Sequence, residues 1–240
     1  MVIMHYFLGF PPYRSGGLTR YCMDLMETQK NKGDKVIALW PGQISFISKE
    51  IHIKKRKNIK NINNYELINP LPVSLDEGII NVKEYTKSCN ANVYKSFLRK
   101  INPDIIHIHT LMGLHREFLE ATKKLKIKTI FTSHDYFGIC PKITLYRDGC
   151  ACVEDHGCRD CIRCNQTALS LRKIQIMQSS LYRNIKDSFL VKKMRKNHRQ
   201  NFFEEKSDKM PLLNEKEVNY KAREYRKLRN YYVDMLQKIC

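Results

Sequence analysis

Residues 2–26, VIMHYFLGFPPYRSGGLTRYCMDLM, run from an apolar segment past two prolines and two glycines into a stretch with helical periodicity. Val2 to Leu8 reads as a buried strand. Leu18, Tyr21, Cys22, Leu25 and Met26 share one helical face. Lys32-Gly33-Asp34 ends that helix, and Lys35 to Leu39 is a second buried strand. Strand, helix, strand within so few residues predicts a βαβ unit, and therefore a parallel sheet with a right-handed crossover.

The pattern resumes further along the chain. Tyr94, Phe97 and Leu98 predict a helix stopped at Asn102-Pro103; DIIHIHT (104–110) follows as a buried strand. Leu114, Phe118, Ala121 and Leu125 predict the next helix, and IKTIFTSHD (127–135) the next strand. Tyr65 to Ile68 reads as a short strand, whereas residues 43–64 are basic, Asn-rich and weakly periodic. The fold class expected is α/β: a Rossmann-like, doubly wound parallel sheet, with a Cys-rich loop and a basic helical C-terminal segment. The expected domain is residues 1–164, including the loop at 140–164, followed by the basic segment 165–240.

In such sheets ligands bind beyond the carboxyl ends of the strands. Three segments deliver suitable residues there: the loop carrying Gly16 and Gly17, His107 and His109 in DIIHIHT, and His134-Asp135. Pro11 and Pro12 hold the loop extended. Gly16 and Gly17 remove side chains where a helix begins, and a helix N-terminus favours an anion. The loop suits a phosphate, although it is neither G-x-G-x-x-G nor a P-loop.

GFPPYRSGGLTRY (9–21), PDIIHIHTL (103–111) and TIFTSHDYFGICPKITL (129–145), in that order on those elements, resemble the N-terminal domain of glycosyltransferase family 4. The resemblance covers about residues 1–165. It implies the acceptor-side half of a two-domain GT-B fold and transfer of a hexose, with retention, from a nucleotide diphosphate sugar to an acceptor hydroxyl. By the same resemblance, Gly16 and Gly17 lie against the donor phosphates, His134 contacts the transferred sugar, and His109 stands near the cleft. The chemistry would need no cofactor, because helix N–H groups and cations can stabilise the departing diphosphate. A complete enzyme of this kind has a second, donor-binding domain. The helical pattern from Tyr225 to Ile239 runs on to Cys240 without a stop signal, so this chain is expected to be inactive alone.

Cys140, Cys150, Cys152, Cys158, Cys161 and Cys164 crowd the loop after His134. Such spacings suit thiolate ligation, and Cys150, Cys158, Cys161 and Cys164 form the expected set for a structural zinc. Free thiols and an iron–sulfur ligand run are the other readings.

The formal charge is +19, and residues 165–240 hold 18 basic against 8 acidic residues. Charge of that sign favours anionic lipid, phosphorylated ligands or nucleic acid. Arg183, Lys186, Lys192, Lys193, Arg195, Lys196 and Arg199, interleaved with Leu181, Tyr182, Phe189, Leu190 and Val191, suit an amphipathic membrane contact. No apolar stretch reaches the roughly 18 residues of a membrane span, and no leader pattern opens the chain. The expectation is a cytoplasmic chain, peripheral on the inner face of the membrane, acting on a glycan or lipid-linked acceptor in cell-surface polysaccharide or glycolipid synthesis. The competing reading is a non-catalytic, zinc-bearing module for nucleic acid or anionic membrane. Tyr220, Tyr225, Tyr231 and Tyr232 would then interleave with Lys and Arg on a binding face, a spacing that serves helix packing better. No nucleic acid partner is expected.

Overall fold

The computed structural model describes residues 1–189, 191–193, 197 and 212–239. Leu190, Arg195, Lys196, Arg199 and Cys240, named above, lie outside them. Among the described residues the main sheet has six strands: β1 (Val2–Tyr6), β2 (Lys35–Pro41), β3 (His52–Ile59), β4 (Ile62–Ile68), β5 (Ile105–Ile108) and β6 (Lys128–Phe131). Their spatial order is β3-β4-β2-β1-β5-β6. All neighbours are parallel except β3 and β4. The Rossmann-like α/β sheet expected from the sequence is therefore present. The chain winds outward from β1 through α1 (Gly17–Asn31) to β2, then returns through α2 (Ala91–Ile101) to β5 on the other side of β1. The order thus reverses between β1 and β5, where such sheets bind ligands.

Successive strand residues point to opposite faces, and the core divides accordingly. Val36, Ala38 and Trp40 pack with Cys22 and Met26 of α1. Met4, Tyr6, Ile37, Leu39, Ile106 and Ile108 pack on the other face, against α2, α3 (Arg116–Lys124) and a long C-terminal helix. That helix, Glu215–Gln237, opens on a capping box between Asn214 and Glu217. It buries Val218, Ala222, Tyr225, Leu228, Tyr232 and Met235 in the same core as the strands. The Tyr225 hydroxyl donates to the Ile79 carbonyl and that of Tyr232 to the Tyr85 carbonyl, so these two rings serve packing.

Residues 43–64 hold a strand the sequence reading left open. β3 and β4 form a hairpin in which Lys60 and Asn61, both at positive φ, link Ile59 to its partner Ile62. Two-residue hairpin loops with that backbone match the twist of the strands. β3 is an edge strand, and Lys54, Lys55 and Lys57 stand exposed along it, which blocks pairing with another chain. After β6 the chain forms a two-stranded hairpin, β7 (Tyr146–Arg147) and β8 (Cys150–Ala151), followed by the short helices α4 (Arg159–Cys164), α5 (Leu171–Met177) and α6 (Ser180–Ile185). The helix Glu215–Gln237 is α7.

Candidate functional site

The reversal point is lined by histidines because of strand parity. On β1, Met4 and Tyr6 face the main core, so His5 faces α1; on β5, Ile106 and Ile108 face the core, so His107 faces α1. His5 pairs with His107 in register. His109, just past β5 and held by its N–H to the Tyr6 carbonyl at 2.9 Å, continues the same row. His134 arrives from the neighbouring strand β6.

These rings form a hydrogen-bonded series. His5 Nε2 is 2.7 Å from Gln29 Oε1 of α1, His5 Nδ1 is 3.0 Å from His109 Nε2, and His109 Nδ1 is 3.3 Å from His134 Nε2. Gln29 Oε1 can only accept, so His5 Nε2 carries its proton and His5 Nδ1 accepts from His109 Nε2–H. His109 Nδ1 in turn accepts from His134 Nε2–H. The series leaves His134 Nδ1 with a lone pair at the exposed end. His107 is tied separately, Nε2 to Thr132 Oγ1 at 2.7 Å, and lies tilted against His109 with ring centroids 4.0 Å apart.

Burial holds the rings neutral, since the imidazolium would lose its hydration. Desolvation lowers His5 to about 4. His109 falls to about 2 by desolvation, with repulsion from His107, His5 and His134 adding to it. His134 is also lowered by desolvation, though Asp135 opposes the shift. Each ring can then donate once and accept once, as the series requires.

The glycine loop borders this row. Phe7 and Phe10 meet edge to face at 5.0 Å and anchor the loop beneath the sheet end. Gly16 caps α1 at φ 117°, a conformation L side chains avoid. No side chain caps the helix and its first turn has no acidic residue, leaving its N–H groups available to an anion. A Cβ at Gly16 or Gly17 would meet nothing within 4 Å, so the loop presents bare backbone to an open space. Tyr21, one turn on from Gly17, sets its ring edge to face against His134 at 4.9 Å. The structure thus brings Gly16, Gly17, His109 and His134 to one end of the sheet. Sequence reasoning missed His5, Gln29 and Tyr21. A histidine inside the apolar run 2–8, at the same parity as His107, was the available signal for the first.

Family comparison agrees with this arrangement. The Glycosyltransferase Family 4 profile matches residues 15–149, from the glycine loop to the hairpin after His134. The chain belongs to glycosyltransferase family 4. An uncharacterised 42.6 kDa protein in the cps region of Klebsiella pneumoniae is 34% identical over 59 residues, which is 25% of this chain and 16% of that protein. Among solved structures, the catalytic domain of starch synthase IV from Arabidopsis thaliana, bound to ADP and acarbose, is similar with a TM-score of 0.32 and 14% identity, over 56% of this chain and 34% of that one. A sucrose-phosphate synthase from Thermosynechococcus elongatus gives 0.32 and 11%, over 56% and 33%. The family 4 chain thus spans about a third or less of the length of these relatives.

The cysteines expected as metal ligands divide. Cys158 caps α4 and Cys161 and Cys164 lie within it, but Cys150 is exposed and its Sγ donates to the Arg147 carbonyl at 3.3 Å. Asp155, Cys158 and Cys161 approach one another closely enough to share an ion, with their ligand atoms within 4.8 Å. All eight described cysteines are free thiols.

The basic segment also divides. Arg183 of α6 pairs at 2.6 Å with Glu66, which is 0% exposed and also bound by Arg56 at 2.5 Å. Lys186 is buried, and its Nζ donates to the Pro12 carbonyl at the glycine loop. These two cations therefore brace α6 against the sheet and the loop. Leu181 and Phe189 are 68% and 78% exposed, with Lys192 and Lys193 exposed close by. Among the described residues no helix is long and apolar enough to cross a membrane.

Proposed function

We propose that this chain is the acceptor-side part of a retaining glycosyltransferase, which moves a hexose from a nucleotide diphosphate sugar to an acceptor hydroxyl in cell-surface polysaccharide or glycolipid synthesis. The observation that carries the reading is the meeting of an uncapped helix N-terminus and a neutral histidine series at the sheet's reversal point. In the reaction the bond from the anomeric carbon to the diphosphate breaks. The acceptor oxygen bonds to that carbon on the same face, and its proton passes to the departing diphosphate. Negative charge grows on the diphosphate, and the α1 N–H groups at Gly17 and Leu18 are placed to stabilise it.

His134 would orient the sugar by accepting a hydroxyl hydrogen bond at Nδ1. His109, His5 and Gln29 keep it in that tautomer, as positioning residues behind the contact. No cofactor is required for the chemistry. Nucleotide recognition falls to a donor-binding domain outside these residues, and on that reading the chain alone is inactive. Leu181, Phe189, Lys192 and Lys193 would meet an anionic membrane on the cytoplasmic face, beside a lipid-linked acceptor.

The test is transfer from a panel of labelled nucleotide diphosphate sugars to a membrane lipid extract, by the longest natural protein that contains this chain. Wild-type transfer with retained anomeric configuration, lowered about tenfold in Gly17→Val and in His134→Ala, supports the reading. Inverted product, or both variants at wild-type rate, overturns it.

A further inference from the structure

Cys22, His109 and His134 reach one point at the end of the sheet from three separate elements. The Cys22 sulfur and one nitrogen of each ring lie within 4.8 Å of one another. Cys22 is fully buried on α1, against the sheet face that carries the histidine row. His109 is fixed past β5 by its N–H to the Tyr6 carbonyl, and its Nδ1 faces His134 Nε2 at 3.3 Å. His134 is exposed, so the outermost of the three is open to solvent.

The spacing is that of metal ligands. Two imidazole nitrogens about 2.0–2.1 Å from a tetrahedral zinc stand about 3.4 Å apart, close to the 3.3 Å observed. A thiolate about 2.3 Å from the ion stands about 3.6 Å from each nitrogen, so Cys22 Sγ has to approach by no more than about 1.2 Å. Desolvation holds both rings neutral, the form that ligates. Burial pushes the Cys22 thiol up to about 12, so its proton leaves only as the ion arrives. One thiolate and two imidazoles suit zinc, whereas magnesium and calcium take oxygen ligands.

Two other clusters are poorer. His5, His107 and His109 also approach within 4.8 Å, but they bring no negative charge, and His5 and His109 are buried, so the ion's charge would stand uncompensated out of water. At Asp155, Cys158 and Cys161, Arg229 already binds Asp155 Oδ2 and lies 4.0 Å from Cys161 Sγ, so a cation would face a guanidinium at contact distance.

We propose that Cys22, His109 and His134 bind one zinc-class divalent cation, with water as the fourth ligand, and that the cation blocks the sugar contact of His134. Binding releases the Cys22 thiol proton to solvent. It also takes the lone pair of His134 Nε2, so the proton held there moves to Nδ1. His109 Nε2–H still donates to His5. His134 then presents a donor to the cleft where the metal-free ring presents an acceptor, and the ion holds the ring in place. The metal site stands on geometry alone, whereas the block rests on the transferase reading above.

The test is Zn²⁺ titration of the reduced, metal-free chain, followed by ¹⁵N spectra of the histidine rings. One equivalent should shift His109 Nδ1 and His134 Nε2 and move the His134 proton to Nδ1. Cys22→Ala should weaken this binding by at least about 100-fold, since even outer-shell changes at metal sites cost roughly 10–100-fold. If Cys22→Ala fails to fold, His134→Gln decides, because its exposed side chain leaves the core intact; it should lose the same equivalent and the shift at His109. In the longest natural protein that contains this chain, Zn²⁺ should lower transfer at least about tenfold, reversibly with a chelator, and should not do so in Cys22→Ala measured against its own metal-free rate. Ring nitrogens unmoved by zinc, equal affinity in the variants, or full transfer with the site filled would overturn the proposal. Absence of transfer from the metal-free protein would remove the transferase reading and the block with it, while the ring nitrogens still decide the site.

Discussion

Acidification should unfold this chain through its buried histidines well before its carboxylates protonate. His5 and His115 are held near 4 and His109 near 2, each chiefly by desolvation, against an ordinary value of 6.5. A group whose folded pKa is depressed binds its proton first in the unfolded chain. For these imidazoles stability is thus full above about 6.5 and is lost as pH falls toward the folded values. From about pH 7.5 to about pH 5 the unfolded chain gains almost one proton per histidine and the folded chain almost none, so each costs about 2 kcal/mol. The three together reach about 6 kcal/mol, a large share of the roughly 5–15 kcal/mol that holds a domain. Asp135, whose carboxyl burial raises, opposes the trend. The assay is urea unfolding followed by circular dichroism at several pH values across that window. His115→Gln, which keeps an acceptor for the Tyr94 hydroxyl now 2.8 Å from His115 Nδ1, should flatten the profile by about 2 kcal/mol. A stability that stays level to pH 5, or a variant with the wild-type slope, would refute the reasoning.

Other perturbations follow from the same geometry. Gly17→Val places a side chain over the open helix end and should weaken diphosphate binding about tenfold, while thermal unfolding moves little because its Cβ meets no neighbour; equal affinity by calorimetry would reduce the loop to a turn. His134→Ala should lower kcat by about tenfold, one hydrogen bond's worth, and wild-type activity should fall as acid protonates His134 Nδ1. A pH profile indifferent to that substitution would remove His134 from the reaction. Glu66→Ala strips Arg56 and Arg183 of their shared buried partner and should cost about 3 kcal/mol in chemical unfolding, with a cost below about 1 kcal/mol contradicting the bracing role of α6. The chain should co-sediment with vesicles containing anionic lipid and be released by salt, and Leu181→Ser with Phe189→Ser should abolish this; equal binding to neutral vesicles, or none to either, would show that the exposed face has another use.

The legible parts of this protein were those governed by local periodicity. The run 2–8, DIIHIHT and the helical faces around Leu18 and Phe118 each bury one continuous set of side chains, so period alone places them in a parallel sheet. β3 escaped because an edge strand has little to bury. Its Lys54-Lys55 pair breaks the alternation, and its turn is Lys60-Asn61 rather than a Gly-bearing pair. In the site, strand-end histidines were visible, but the partnership of His5 with His109 depends on the pairing of β1 with β5, a contact across 104 residues. The cysteines show the same limit. Spacing offered six candidates, and only the fold shows that Cys158 and Cys161 converge on Asp155 while Cys150 stands exposed.

The central claim is that donor phosphate and sugar meet at the carboxyl ends of β1, β5 and β6. Titrating ¹⁵N-labelled chain with nucleoside diphosphates and their sugar conjugates, and following the Gly16, Gly17 and Leu18 amides together with the histidine ring nitrogens, tests it most directly. The account predicts that the three amides shift with every diphosphate and that His134 Nδ1 shifts only when the sugar is attached. Shifts confined to the basic helices α5 and α6, or glycine amides that stay still at saturating ligand, would contradict it.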